Sequence, residues 1–253
     1  MPKQDWLPAI LDCGRRYREE NLYPYWSPEA LLSDWRQGFS FFLGRACYQG
    51  RRDIVSDKVY AAAKDALEET IYASDDWLDP NFTHVAAVLG QAVGSEGGKA
   101  GKGRDAEMVL SALRFASRLP GHNRVAYSVE RVRQGEIRAH YDEMRPERSA
   151  NGIRQVGPKI AAFYLRDLVS LFDLDALVAS RDQALLQPVD VWVRRVADRL
   201  GLAAEAAPDA DIRAAILDLC EQHGCSPLLF NQGTWYLGYH SFDLLLEQMG
   251  AGA

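Results

Sequence analysis

Cysteine is scarce in this chain of 253 residues, which holds only Cys13, Cys47, Cys220 and Cys225. Four scattered thiols are too few for a disulfide scaffold, and only Cys220 and Cys225 lie close in sequence. They supply neither a four-cysteine iron–sulfur cluster nor a paired CxxC zinc site, so free, buried thiols and no metal or cofactor are expected. The five histidines, His84, His122, His140, His223 and His240, fall at no ligand or triad spacing. The opening segment MPKQDWLPAI lacks a basic stretch followed by an apolar run, so no secretory leader is read there. No apolar run is long enough to cross a bilayer. These absences give the expectation of a soluble, cytoplasmic protein with no membrane partner. β-alternation is missing too.

What is present is apolar content and helical periodicity. Hydrophobic residues make up 47% of the chain, enough for a sizeable core. The segment 27–49 opens with Ser27 as N-cap, Pro28 in the first turn and Glu29 against the helix dipole. Amphipathic patterns recur over 56–73 and 105–119, then over about 125–143, 158–171, 190–200, 209–223 and 227–247. The fold class is therefore all-α. A glycine- and lysine-rich loop, GSEGGKAGKGRD (94–105), interrupts the pattern without meeting the GxxxxGK[ST] phosphate-loop spacing. It reads as a basic loop.

Net charge is −6, unevenly spread. Residues 99–199 carry 18 basic against 13 acidic side chains, while the remainder carries 11 against 22. A basic middle in an acidic chain suits one anion-facing surface, or simply solvated helix faces.

The most informative stretch is NGIRQVGPKIAAFYLRDL (151–168). Gly157 permits a tight turn with positive φ, Pro158 fits the first turn of the next helix, and Ile153 and Val156 can anchor the turn. Free N–H groups at such a helix start attract phosphate without reading base sequence. Downstream, QPVDVWVRRVADRLG (187–201) places Asp190 at a helix start, where an aspartate ordinarily serves as N-cap.

Together, the turn with Lys159 and the proline-flanked Val189-Asp190 pair, 31 positions apart, resemble the helix-hairpin-helix DNA glycosylases. The long connector, the absent iron–sulfur cluster, PVDVWVRRVA, FNQGTWYLGY (230–239) and ACYQG (46–50) are most similar to archaeal-type 8-oxoguanine glycosylase/lyases. One departure stands out. Gln155 occupies the place of the usual first hairpin glycine.

The resemblance implies one glycosylase unit over 1–253, made of two helical lobes around an active-site cleft, with the hairpin at 151–171. It implies Lys159 as Schiff-base nucleophile, Asp190 as the carboxylate partner, and Gln155 and Gly157 at a DNA phosphate. Gln49, Phe163, Pro188, Asn231 and Trp235 would contact the extruded base. The implied partner is double-stranded DNA with a damaged base, met by a monomer located at the nucleoid when acting. Each assignment has a plainer rival: Lys159 as a phosphate contact, Asp190 as a cap, Phe163 and Trp235 as core aromatics. Two other functions also remain open: an N-glycosidase for a free modified nucleotide, and a non-catalytic DNA-binding module.

Overall fold

Short polar and glycine punctuation sets the helix limits more finely than apolar periodicity does. A computed structural model describes residues 6–96 and 103–250, and those residues hold helices, 3-10 turns and loops without a strand. Residues 97–102 of the glycine- and lysine-rich loop fall outside them. The helices are α1 (Leu7–Asn21), α2 (Pro28–Ser33), α3 (Trp35–Ala46), α4 (Asp53–Glu68), α5 (Ile71–Ser74), α6 (Thr83–Glu96) and α7 (Arg104–Ala116). They continue as α8 (Arg124–Arg133), α9 (Ile137–Glu143), α10 (Pro158–Leu171), α11 (Val191–Arg199), α12 (Asp209–His223) and α13 (Pro227–Gly250).

Three segments read as single helices are broken, 56–73 among them, which Glu69 and Thr70 divide into α4 and α5. Asp34 stops α2 and caps α3 by accepting from the Arg36 N–H, so 27–49 is not one helix. Gly135, with φ of +74°, separates α8 from α9 within 125–143. Helices α1 and α6 were not anticipated. The α6 sequence THVAAVLGQAVGSE has small residues on most sides, which blurs its apolar stripe.

The chain divides into two compact units, Met1–Ser27 with Leu165–Ala253, and Pro28–Tyr164. Helix α10 starts in the second and ends in the first. In the first unit α1 lies along α13 so closely that a Cβ on Gly233 would sit 1.9 Å from the Ile10 carbonyl oxygen. Only glycine fits there. Ile10, Val193, Val196, Ile212, Ile216, Phe230 and Leu237 form that unit's core.

The second unit buries Phe39, Phe41, Phe42, Leu113 and Phe115. Among them lies the Arg124 guanidinium, 3.8 Å from the Phe42 ring centroid and 4.6 Å from that of Phe115. Burial pushes its pKa down to about 10. Nearby, His140 Nε2 is 2.8 Å from Ser128 Oγ, and Nδ1 is 3.3 Å from Glu143 Oε2. Ser128 Oγ donates to the Arg124 carbonyl at 2.8 Å and lies 2.9 Å from the Tyr164 hydroxyl, so the serine links His140 to both.

Burial depresses the His140 pKa below its ordinary 6.5, and the His140 hydrogen bond chiefly lowers that of Glu143 below 4.5. Both groups bind protons more readily when the chain is unfolded. Their contribution is therefore complete above about pH 6.5 and lost as pH falls through the folded-state values. Urea titrations from pH 8 to 4 should show stability declining once pH passes below 6.5. His140→Gln should remove the first part of that decline; an unchanged pH profile in this variant would assign the decline to other groups.

Candidate functional site

The hairpin between α9 and α10 is built from backbone hydrogen bonds and two apolar anchors. The Ile153 N–H donates to the Met144 carbonyl at 2.8 Å, and that of Val156 to the Ile153 carbonyl at 3.0 Å. Ile153 and Val156 are fully buried, as the sequence suggested. Gly152 is pressed against the Arg145 backbone, where a Cβ would meet the carbonyl carbon at 2.4 Å.

The positive φ belongs to Gln155, at +64°, and not to Gly157. Gln155 thus occupies a left-handed conformation at the position where the resembling hairpins use glycine. For a residue with a Cβ this costs about 1–2 kcal/mol, partly offset because glycine has more freedom to lose on folding. Gln155→Gly should accordingly raise stability by about 0.5–1 kcal/mol in urea titrations. A destabilised variant would mean that the glutamine side chain supports the turn.

Lys159 occupies the first turn of α10 and is half-buried. Its Nζ donates to the Tyr48 carbonyl at 3.2 Å, and among the described residues no carboxylate forms an ion pair with it. One turn on, the Phe163 ring meets the Tyr48 ring edge-on at a centroid distance of 6.4 Å. The same loop carries Gln49, which lies beyond the end of α3 and not within a helix. Its Nε2 donates to the Ala46 carbonyl, and Oε1 has no hydrogen-bond partner among the described residues.

This loop is fixed from behind. Arg51 grips Asp105 through both terminal nitrogens at 2.6 and 2.8 Å and also donates to the Cys47 carbonyl at 2.8 Å. Burial pushes the adjacent Cys47 thiol up to about 12, so it stays protonated and inert. The second unit therefore gathers Lys159, Phe163 and Gln49 around Tyr48.

In the first unit, Asp190 caps α11: its Oδ1 accepts from the N–H groups of Trp192 at 3.0 Å and Val193 at 2.9 Å. The plain reading of Asp190 as a cap is thus observed. Both bonds fall on one oxygen, and Oδ2 has no hydrogen-bond partner among the described residues. The cap holds the carboxylate in one orientation while leaving that oxygen available.

Asn231 and Pro188 differ from expectation. Asn231 is 0% exposed, its Oδ1 accepting from Arg166 at 2.9 Å and its Nδ2 donating to the Pro188 carbonyl at 3.2 Å. Pro188 is buried as well. Both amide groups of Asn231 are committed internally, so it positions the segment leading to Asp190 instead of contacting a base. Behind it, Arg166 donates to Asp167 and to Tyr17, and Tyr17 donates to Asp167 at 2.8 Å. Burial alone would pull the Arg166 pKa down, but Asp167, Tyr17 and Asp190 more than offset this, and the guanidinium stays charged. Asn231→Ala leaves the Pro188 carbonyl and an arginine N–H without partners and should cost about 2–3 kcal/mol. Thermal denaturation measures this, and a loss below about 0.5 kcal/mol would deny the clamp.

Trp235 is half-buried in the same unit, edge-on to Tyr17 at 5.5 Å and stacked on Tyr239 at 5.0 Å with 7° between the planes. A flat ligand stacking on that face would take the place of Tyr239. The sequence reading overlooked Tyr48, Arg51 and the Arg166–Asp167 pair. Only the last had a visible signal, a charged dipeptide within an apolar helical stripe. No protein-family model, curated protein or solved structure matches this chain.

Proposed function

We propose that this chain is a DNA N-glycosylase with β-elimination lyase activity, removing oxidised guanine from double-stranded DNA through Lys159 and Asp190. The observation that carries the reading is the setting of Lys159. Its amine is held by a neutral carbonyl at the start of a hairpin helix, beside Phe163 and away from any carboxylate partner among the described residues. A structural lysine would ordinarily extend into solvent or pair with an acid.

The chemistry requires a nucleophile and a fixed negative charge. As the base leaves with the electrons of the N-glycosidic bond, positive charge develops on the deoxyribose, and Asp190 stabilises it through Oδ2. The deprotonated Lys159 amine attacks C1′, forming a C–N bond as the base departs. Opening of the sugar ring gives a Schiff base. Loss of a C2′ proton then expels the 3′ phosphate and cuts the strand.

A base stacked in a duplex is out of reach, so the nucleotide must be flipped. Phe163 supplies an aromatic wall, and Gln49 Oε1, without a hydrogen-bond partner among the described residues, supplies an acceptor. An 8-oxoguanine carries a proton on N7 that guanine lacks, and an acceptor at that place rejects the normal base. The Gln155 amide and the N–H groups that open α10 hold a backbone phosphate, while the Gly157 N–H is donated to the Gln155 carbonyl at 3.2 Å.

A panel of duplexes with one altered base each, together with the corresponding free nucleotides, tests the proposal. Release of 8-oxoguanine accompanied by strand scission is the expected result. Hydrolysis of free nucleotides alone would replace it with a nucleotide N-glycosidase, and binding without base release with a DNA-binding module.

A further inference from the structure

Helix α12 ends at His223, and Gly224 closes it in the left-handed conformation with φ of +62°. The next N–H, that of Cys225, reaches back to the Cys220 carbonyl at 3.0 Å. This is the hydrogen-bond pattern of a Schellman cap, which folds the residue after the glycine onto the last helical turn. With standard bond lengths, that 3.0 Å bond keeps the two Cα atoms within about 7 Å. A disulfide spans up to about 6.8 Å between Cα atoms. Burial, with the neighbouring Cys225 thiol, raises the Cys220 pKa.

Their surroundings differ usefully. Cys220 is 2% exposed within the core, whereas Cys225 packs against that core and is only half-buried. Cys47 is fully buried, and Cys13 lies half-buried on α1. Among the described residues, no group of acidic, histidine and cysteine side chains could hold a metal at this corner.

We propose that Cys220 and Cys225 form a reversible disulfide under peroxide, an oxidative modification site at the α12–α13 corner. The Cys225 thiolate attacks a peroxide oxygen, the O–O bond breaks, and the sulfur becomes a sulfenic acid with release of water. The Cys220 sulfur then attacks Cys225 Sγ, and the sulfenic hydroxyl leaves as water with the Cys220 proton. One hydrogen peroxide is reduced to two waters as two thiols become one disulfide. A dithiol reductant reverses the change. The bridge ties the end of α12 to the residue preceding Ser226, whose hydroxyl accepts from the Leu229 N–H at the start of α13.

Treatment of the folded full-length protein with hydrogen peroxide, followed by denaturation, alkylation and cleavage after Glu221, tests this directly. That cleavage separates Cys220 from Cys225, so a bridge holds the two fragments together until reduction. The expected product is this linked pair, lighter than the reduced fragments by two hydrogens, with Cys13 and Cys47 alkylated. Cys225→Ser should yield only separate fragments, and Cys220→Ala should leave a sulfenic acid on Cys225 that a dimedone probe captures. Separate fragments from oxidised wild type, Cys13-linked dimers in their place, or a bridge that appears only in urea would each overturn the proposal.

Discussion

Lys159→Gln should abolish borohydride capture of lesion-bearing duplex and lower strand cleavage by more than about a thousandfold, because it removes the only amine assigned to the sugar. The substitution is chosen for what it keeps. A glutamine retains a donor for the Tyr48 carbonyl and the reach of a long side chain, so Phe163 and the 47–52 loop need not move. Thermal stability and binding of 8-oxoguanine duplex should therefore stay near wild type. Lesion affinity measured beside cleavage separates loss of chemistry from loss of the pocket. Cleavage at wild-type rate would return Lys159 to a phosphate contact.

Asp190→Asn should slow base release by about three orders of magnitude, equivalent to about 4 kcal/mol of transition-state stabilisation. Asparagine is as good an N-cap as aspartate, so the bonds to the Trp192 and Val193 N–H groups can survive. What disappears is the charge. The melting temperature should change little while single-turnover release collapses, whereas Asp190→Ala should lose both the charge and about 1 kcal/mol of capping. If Asp190→Asn slows release by less than about tenfold, Asp190 is a cap alone.

The bounds of α10 and α12 were legible because proline, acidic first turns and a terminal glycine mark them locally: Pro158 opens one, and Asp209 and Gly224 delimit the other. The breaks at Asp34 and Gly135 carried similar marks, but the apolar pattern runs across both, and periodicity was given precedence. The hairpin turn was recognised while its strain was misplaced. Gly157 attracts the positive φ on propensity, yet the chain's hydrogen bonds assign it to Gln155.

Tyr48 could not be found from sequence, since a carbonyl 111 positions from Lys159 leaves no local trace. Asn231 illustrates the converse difficulty. The resemblance implied a base contact for it, but the buried Arg166 guanidinium takes an internal acceptor, and Asn231 provides it. The 31-residue spacing between Lys159 and Asp190 was legible, whereas the supports that hold each of them were not.

Borohydride reduction during turnover of an 8-oxoguanine duplex, followed by digestion with trypsin and nuclease, tests the assignment of Lys159 most directly. The expected product is a peptide spanning residues 155–166, left uncut after Lys159 and carrying one reduced deoxyribose remnant on that lysine. A remnant on any other lysine or on the N-terminal amine, or base release with no covalent product, would contradict a Schiff base at Lys159.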